Sequence, residues 1–487
     1  MDTTGDLHEA ERGFAEAAAR LGRWIADYLA GSERYPVLSR ARPGQVRRSL
    51  PSAPPQDPEP FEAVFADFER AILPGITHWN HPAFFAYFAI TGSAPGVLGE
   101  MLSAALNVNG MLWRTSPAAT ELEQVTLDWL RQMLGLPQQF GVIMDTASVA
   151  TLCAVAAARE ALDLGIRTRG MAGRDLPRLR LYTSEQAHSS VEKAAIVLGL
   201  GQEGCRKIPT DGEYRMRADA LEDAVREDLR AGWRPVCVVA TVGTTSTTSV
   251  DPVDEVADVC ERYGLWLHVD AAYGGAAAIL PEMRWVLRGC ERADSFLVNP
   301  HKWLFTPIDC TAFYTRRPEV LRRAFSLVPE YLRTPEDEVV NYMDYGVQLG
   351  RRFRALKLWM VIRMFGVRGL QEAIRRHLDL AREFAEWVDA SPDFQRMAPV
   401  PFSTVCFRYS PPGTPEEELD RRNAGLLEAV NASGEAYLSH TVLRGRYTLR
   451  LAVGNLRTQR RHVARCWELL QSHARKRGPR EEVPWES

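Results

Sequence analysis

The 487-residue chain has little that would place it in a membrane, on a nucleic acid or in an oxidising compartment. Its 8 cysteines are scattered and form no CxxC pair, which argues against a disulfide framework and against a zinc site. No uninterrupted apolar run approaches the roughly 20 residues that span a bilayer, and the acidic N-terminus lacks the apolar core of a signal peptide. The formal charge is only -3, from 59 basic and 62 acidic residues, so no electrostatic footprint for nucleic acid follows. These absences predict a cytoplasmic protein without a metal site, a membrane anchor or a nucleic-acid partner.

What the chain does contain is enough apolar material, 46% of its residues, for a large core. A helical pattern near the N-terminus is followed by a proline-rich stretch from Tyr35 to Pro60, which predicts an extended segment. Helical patterns then alternate with short β-rich runs, which favours an α/β domain with a largely parallel sheet. A long helical stretch around 356–384 leads into further strand-like pieces. We therefore predict an N-terminal arm over residues 1–84, a large α/β domain over 85–372 and a small α+β domain over 373–487.

Two charged residues follow apolar strands of the predicted sheet. Lys302 comes after Ser295–Val298, in a stretch that is otherwise uncharged apart from His301. Burial there would lower the pKa of the lysine and make it the kind of amine that reacts with a carbonyl, although a surface lysine after a turn is the alternative. Asp270 ends another apolar run, and a buried carboxylate needs a partner. A protonated pyridine nitrogen would fit, and so would a helix cap or a structural ion pair.

Two turns rich in small and hydroxylated residues also follow strands. Thr146–Ser148 runs into a helix, where free N–H groups and the helix dipole could bind a phosphate, although plain capping of the helix is an equally common explanation. Gly243–Ser246 is the second turn. His188 follows a further β-rich run and, taken alone, is better explained as a structural histidine. Ligands of open α/β sheets bind outside the carboxyl ends of the strands, so we expect these residues to converge.

In this chain order, phosphate turn, histidine, aspartate and lysine, the sequence resembles the group II decarboxylases that depend on pyridoxal 5′-phosphate (PLP), most closely the aromatic-L-amino-acid decarboxylases. The resemblance runs over nearly the whole chain, and its most specific string is Asn299-Pro-His-Lys-Trp303. It implies a PLP-dependent transferase fold of type I, which is aspartate-aminotransferase-like. It also implies an obligate homodimer with the site at the interface and the N-terminal arm packed on the partner. The implied reaction converts an aromatic L-amino acid to its amine and carbon dioxide.

The resemblance also implies a role for each matching residue. Lys302 would bind the cofactor covalently, Asp270 would pair with its pyridine nitrogen, and His188 would stack on its ring. Tyr331, in a polar segment that we predict to be a mobile loop, would return a proton to Cα. The other implied cofactor contacts are Thr146, Ala147, Ser148, Thr245, Ala272, Asn299 and His301. The implied walls of the substrate pocket are Tyr87, Phe88, Ile90, Met111 and Gly350.

Three pocket positions bear on the substrate. Ile90 and Met111 stand where animal catecholamine-making relatives carry threonine and phenylalanine, and Gly350 is the small residue that accompanies indole-sized substrates in plant relatives. These residues favour tryptophan or phenylalanine over dihydroxyphenylalanine, and a broad aromatic range that includes tyrosine stays open. The alternatives are an aldehyde synthase, which tends to have phenylalanine in place of the loop tyrosine, and a decarboxylase of a non-aromatic amino acid such as glutamate, which would need another cation in the pocket. A catalytically idle PLP-binding protein would lack the lysine, aspartate or tyrosine, and all three are present.

Overall fold

The strands form two sheets in this computed structural model, which describes residues 13–327 and 339–476. The strands of the larger sheet are β1 (Phe140–Met144), β2 (Leu179–Ser184), β3 (Cys205–Ile208), β4 (Arg234–Thr241), β5 (Trp266–Asp270), β6 (Ser295–Val298) and β7 (Thr311–Thr315). Those of the smaller sheet are β8 (Phe394–Arg396), β9 (Thr404–Tyr409), β10 (Ser439–Leu443) and β11 (Arg446–Ala452).

The α-helices surround these sheets and connect most of the strands. In the described residues they are α1 (Phe14–Ala30), α2 (Gln45–Arg48), α3 (Phe61–Asp67), α4 (Ala94–Leu106), α5 (Pro117–Leu134), α6 (Ala147–Glu160), α7 (Ile166–Arg169), α8 (Ser190–Val197), α9 (Ala218–Arg230), α10 (Val253–Tyr263), α11 (Pro300–Trp303), α12 (Pro318–Phe325), α13 (Arg354–Ala390), α14 (Glu416–Ser433) and α15 (Arg460–Lys476). None of the helices in that part of the chain is both long enough and apolar enough to cross a bilayer.

The larger sheet has the strand order β1-β7-β6-β5-β4-β2-β3. The pairs from β3 across to β6 are parallel, whereas β7 runs antiparallel to both of its neighbours, β6 and β1. Every strand except β7 therefore points the same way, which confirms the predicted α/β class with a largely parallel sheet. It follows that the carboxyl ends of β1, β2, β4, β5 and β6 lie along one edge.

Both faces of this sheet are covered, which explains why its strands read as apolar runs. Along β4, Cys237 and Val239 point to the face that packs on α6, and Val238 and Ala240 point to the opposite face. All four side chains are fully buried. The sheet is thus a rigid support for the residues that follow its strands.

Two details differ from the sequence prediction. The stretch from Tyr35 to Pro60 is not wholly extended, because the one-turn helix α2 forms between its prolines after Gly44, which adopts a left-handed φ of 77°. The long helix α13 is interrupted at Gly366, whose φ of 64° and ψ of 165° are not helical. Helix α13 packs on α4 and on β9 of the smaller sheet, and it crosses residue 372, so the proposed domain boundary there stays a prediction.

Candidate active site

Five residues singled out in the sequence follow five different strands at the carboxyl edge of the larger sheet. Thr146 follows β1, His188 follows β2, Thr245 follows β4, Asp270 ends β5 and Lys302 follows β6. The charges of Asp270 and Lys302 both act on the pKa of His188, so these three side chains share one site. The structure thus brings His188, Asp270 and Lys302 together and places Thr146 and Thr245 at the same edge of the sheet.

Lys302 lies in the single helical turn α11, where its N–H donates to the carbonyl of Asn299 over 3.0 Å. Burial lowers the pKa of its ammonium group, and the charge of Asp270 acts in the opposite direction. Asp270 is only 5% exposed, and its Oδ1 accepts the N–H of Ala272 over 3.0 Å. The site therefore holds an amine with a depressed pKa near a carboxylate, as Schiff-base chemistry on a pyridine ring requires.

His188 has a defined tautomer. Its Nδ1 accepts the backbone N–H of Ser190 over 3.1 Å and lies 2.9 Å from the Ser190 hydroxyl. A backbone N–H can only donate, so the neutral ring carries its proton on Nε2. Burial is the main reason that the pKa of His188 lies below its usual value; Lys302 lowers it further, and Asp270 raises it.

The turn before α6 leaves a helix N-terminus free to bind an anion. The first helical N–H to find an acceptor is that of Ala150, which donates to Thr146 O over 3.0 Å, so the N–H groups of residues 147–149 precede the helical ladder. The Thr146 side chain does not cap the helix, because its hydroxyl donates to Asp145 Oδ1 over 3.1 Å. Plain capping is therefore not the function of this threonine, and the geometry suits the phosphate of a cofactor.

Asn299 and His301 are buried behind this turn. Asn299 Oδ1 accepts the Thr311 hydroxyl over 2.9 Å, and that hydroxyl also lies 3.2 Å from the carbonyl oxygen of Asp145. His301 Nδ1 lies 2.7 Å from the carbonyl oxygen of Cys310, and burial lowers the pKa of this histidine to about 4. Asn299 is thus linked to the turn through Thr311, whereas His301 contacts the Cys310 backbone and Asn299.

Thr245 and Ala272 flank the same edge. The Thr245 side chain is exposed and its carbonyl accepts a hydrogen bond from Arg450 over 3.0 Å. Ala272 is buried, and its carbonyl accepts the N–H of Asn299 over 3.2 Å. Both positions are compatible with the cofactor contacts that the sequence predicted.

A stack of three aromatic rings, from Phe88, Tyr273 and Trp303, lies beside Lys302. Phe88 stacks on Tyr273 with ring centroids 4.0 Å apart, and Tyr273 stacks on Trp303 at 4.6 Å. Lys302 Nζ lies 5.2 Å from the centroid of the Phe88 ring. Tyr87 has a left-handed φ of 52°, and Ile90 is half-buried two residues beyond Phe88. Of the predicted pocket residues, Phe88 thus lies next to the lysine, and Tyr87 and Ile90 flank it in sequence.

The other two pocket residues, Met111 and Gly350, lie on segments that contact each other and form what we call the Met111–Gly350 surface. The segments around Met111 and Gly350 are joined by backbone hydrogen bonds, from Gly110 N–H to Arg351 O over 2.8 Å and from Met343 N–H to Met111 O over 3.1 Å. In the described ranges, no hydrogen bond, ion pair or ring contact joins Met111 or Gly350 to Phe88 or Lys302. Tyr331, the predicted proton donor, lies outside the residues that the structure describes.

Sequence reasoning missed Arg450, which enters the site from β11 of the smaller sheet. Arg450 is 4% exposed, and its guanidinium carbon lies 5.3 Å from the centroid of the Phe88 ring. Its donors reach the carbonyls of Ser246 and Thr245, at 2.7 and 3.0 Å, and the Ser439 hydroxyl at 3.0 Å. The signal that could have identified Arg450 is the β-strand pattern RYTLRLA, in which this arginine is at a position that faces the interior.

The donor set fits PLP. A buried amine, a buried carboxylate, a histidine and an uncapped helix N-terminus match the aldehyde, the pyridine nitrogen, the ring face and the phosphate of that cofactor. The fold and the site thus define a PLP-dependent α/β enzyme.

Comparison with known proteins agrees. Residues 43–410 match the pyridoxal-dependent decarboxylase conserved domain. The chain is 44% identical to tyrosine decarboxylase 4 of Petroselinum crispum, over 93% of this chain and 91% of that protein. It is 43% identical to a phenylacetaldehyde synthase of Arabidopsis thaliana, over 93% and 94% of the two chains. The crystal structure of Oryza sativa TDC with PLP and tryptamine superposes with a TM-score of 0.92 at 40% identity, covering 96% of this chain and 98% of that one. The protein belongs to the pyridoxal-dependent decarboxylase family and is a carboxy-lyase.

Proposed function

We propose that the protein decarboxylates an aromatic L-amino acid to the corresponding amine. The observation that carries this proposal is the half-buried Phe88 ring, which lies 5.2 Å from Lys302 Nζ and is backed by the buried, stacked rings of Tyr273 and Trp303. Tyrosine decarboxylases and tryptophan decarboxylases among the relatives support the substrate class. Tryptophan, phenylalanine, tyrosine and dihydroxyphenylalanine are the candidates.

Each residue of the site has a proposed task. PLP, when bound, supplies an electron sink for the electrons of the broken Cα–carboxylate bond. Asp270 keeps the pyridine nitrogen protonated, because a buried carboxylate favours a neighbouring positive charge. Lys302 would hold the cofactor covalently through its amine. His188, with its proton on Nε2, would hold the cofactor ring, and the N-terminus of α6 would hold the phosphate.

Arg450 does not make the pocket suitable for an acidic substrate. Its charge is the extra cation that a glutamate decarboxylase would need, but its described hydrogen bonds all go to acceptors within the protein. A substrate carboxylate would have to displace several of them. We therefore retain an aromatic side chain as the substrate and glutamate as the alternative.

One assay tests the substrate class. The purified protein, saturated with PLP, is incubated with each of the twenty amino acids, and amines and aldehydes are identified by mass spectrometry. We expect amines from aromatic substrates. Faster turnover of glutamate than of tryptophan, phenylalanine and tyrosine would refute the proposal.

Tyr331 decides between amine and aldehyde. Phenylacetaldehyde synthases are as similar to this chain as decarboxylases are, so overall identity does not separate the two activities. We propose that Tyr331 returns the proton to Cα. Tyr331→Phe should then reduce amine formation by at least about a hundredfold, since general acid catalysis is typically worth 10²–10⁴-fold. Aldehyde and hydrogen peroxide should appear instead. Amine formation at the wild-type rate, without oxygen uptake, would make His188 the first candidate for the acid.

We also propose that the enzyme is a homodimer whose two chains complete each site. Among the described residues, no hydrogen bond, ion pair or ring contact joins the Met111–Gly350 surface to Lys302 of the same chain, and in the proposed dimer this surface belongs to the site of the other copy. Helix α4, just before Met111, exposes an apolar face that a second copy would cover. Its exposed side chains are Leu98, Met101, Leu102 and Leu106.

A hybrid experiment tests the shared site. Lys302→Ala and Gly350→Trp should each inactivate the enzyme, the first by removing the amine and the second by filling the pocket. When the two variants are co-expressed, half of the dimers are hybrids and each has one intact site, so about a quarter of wild-type activity should return. No recovery, despite hybrid dimers seen by native mass spectrometry, would show that the site lies within one chain.

A cytoplasmic location is the remaining proposal. All 8 cysteines are buried and unpaired, as is usual for a reducing compartment. Cell fractionation with an antibody against the native protein tests it.

A further inference from the structure

The side-chain amide of Asn109 lies between Met111 and Gly350. Its Nδ2 is 3.5 Å from the sulfur of Met111. A Cβ atom built on Gly350 would lie 3.8 Å from the same nitrogen, with nothing else within 4 Å. A polar group therefore lies at the centre of a surface for which the sequence predicted only the apolar Met111 and the small Gly350.

The orientation of this amide is fixed by its partners. The backbone N–H of Arg351 donates to Asn109 Oδ1 over 2.9 Å. A backbone N–H can only donate, so the oxygen must face Arg351 and the NH₂ group must face Met111 and Gly350. The Thr115 hydroxyl donates to the Asn109 carbonyl over 2.9 Å and holds the backbone as well.

Arg351, which holds the Asn109 amide, is itself bonded to residues of the core. Its guanidinium donates to Glu123 over 2.6 Å and to the carbonyl of Ile143 over 2.7 Å. The Asn109 amide is therefore attached, through one residue, to α5 and β1. Preorganised donors of this kind discriminate between ligands because they lose little entropy on binding.

The amide still has hydrogen-bonding capacity. A thioether sulfur is a weak acceptor, and it can engage only one of the two N–H bonds. Asn109 is exposed in the single chain. A substrate ring that reaches this surface would therefore meet an N–H donor with no strong acceptor.

We propose that Asn109 is a specificity-determining residue that donates a hydrogen bond to a hydroxyl on the substrate ring. This inference rests on the proposed function, in which Met111 and Gly350 line the pocket. A phenol oxygen can accept the bond, phenylalanine has no such atom, and the indole N–H of tryptophan is a donor only. Asn109 therefore favours tyrosine or dihydroxyphenylalanine, against the preference for tryptophan or phenylalanine that Ile90 and Gly350 indicated.

The test compares substrates within each variant of the PLP-saturated enzyme. Asn109→Leu removes the donor at similar volume. The ratio of kcat/KM for tyrosine to that for phenylalanine should fall about two- to tenfold, as expected for one net hydrogen bond, and most of the change should be in KM for tyrosine. Asn109→Asp keeps an oxygen for the Arg351 N–H and turns the presented donor into an acceptor. The indole N–H can then donate to residue 109, as the phenol O–H can, so the tyrosine-to-tryptophan ratio should fall.

Two control variants separate the possible failures. Thr115→Val removes the hydroxyl bond to the Asn109 carbonyl but keeps the amide and its Arg351 partner, so it should lower the tyrosine-to-phenylalanine ratio by less than Asn109→Leu does. Gly350→Ser narrows the same surface and should lower turnover of tryptophan relative to tyrosine. Thermal melting of each holoenzyme confirms folding, and Asn109→Asp decides the question if Asn109→Leu does not fold.

Each outcome is informative. A Gly350→Ser effect without an Asn109 effect would overturn the inference and leave the proposed function intact. If neither position changes any ratio in an active enzyme, the surface is not in the pocket and the inference is overturned. If the wild-type enzyme turns over no aromatic amino acid, the proposed function fails and the inference fails with it.

Discussion

The buried ion pair between Glu123 and Arg351 offers a sharp test of how the Gly350 segment is anchored. Arg351 Nη2 lies 2.6 Å from Glu123 Oε1, and the two side chains are 7% and 4% exposed. The same carboxylate oxygen accepts the N–H of Ile143 over 2.7 Å. Glu123→Ala would leave the guanidinium buried with only the carbonyls of Ile143 and Gly110 and the face of Tyr342 as partners.

The expected loss of stability is large. Removing one partner of a buried ion pair typically costs about 3–5 kcal/mol, because the remaining charge is uncompensated. The Ile143 N–H also loses its acceptor, which adds ~1–3 kcal/mol. Glu123→Gln keeps an oxygen for both donors and should cost less than Glu123→Ala.

Urea unfolding of the PLP-saturated protein, followed by circular dichroism, measures the difference. The double variant Glu123→Leu with Arg351→Met removes both charges, and it should recover most of the loss, since apolar replacements of buried pairs are often neutral. A loss of less than about 1 kcal/mol in the free energy of unfolding for Glu123→Ala would refute the reasoning, because a buried guanidinium without its carboxylate partner should cost more than that. A double variant as unstable as the sum of its parts would refute it as well.

Three further predictions concern the cofactor, the substrate and pH. Lys302→Ala should abolish the covalent link to PLP, and a borohydride-reduced peptide map that finds the pyridoxyl group on another lysine would contradict the assignment. Ile90→Thr should improve turnover of dihydroxyphenylalanine relative to phenylalanine by about two- to tenfold, the value of one net hydrogen bond, and an unchanged ratio would show that residue 90 does not face the ring edge. Four buried histidines have a depressed pKa in the folded protein, to about 4 or about 3, mainly through burial: His81, His268, His301 and His377. As pH falls, the unfolded chain binds protons at these histidines before the folded protein does. The free energy of unfolding should therefore have its full value above about pH 6.5 and should fall as pH drops towards 4, by ~1.4 kcal/mol per pH unit for each histidine. Burial raises the pKa of Asp251 to about 7, so this residue stabilises the folded protein as pH falls and offsets the effect of one of the four histidines. A urea midpoint that does not fall between pH 7.5 and pH 5.5 would contradict the predicted net loss of stability.

The parts of the site that could be predicted from sequence are those with local signals. Lys302 and Asp270 each follow an apolar strand directly, and a parallel sheet brings the ends of its strands to one edge. Thr146 could be recognised in the same way, because a helix begins at the next residue. Their placement at that edge is confirmed, while the role of each residue in the reaction stays a prediction.

The parts that could not be predicted depend on contacts between distant segments. Arg450 reaches Ser246, which is 204 residues away, and Asn109 accepts a hydrogen bond from Arg351 across 242 residues. No window of sequence contains both partners of either pair. The one-turn helix α2 escaped notice for a different reason, since the prolines around it dominate the local pattern.

The pairing of β1 with β7 has a consequence for how the protein is made. Phe140 at the start of β1 is in register with Thr315 at the end of β7, and within residues 13–327 and 339–476 β1 pairs with no strand other than β7. During synthesis, β1 and the Thr146–Ser148 turn that follows it must therefore wait for residue 315 to leave the ribosome before they can join the sheet. Contacts so far apart in sequence form slowly, because the long intervening chain must first be closed into a loop. We expect the nascent chain to acquire the ability to bind PLP late, after most of the large sheet has formed.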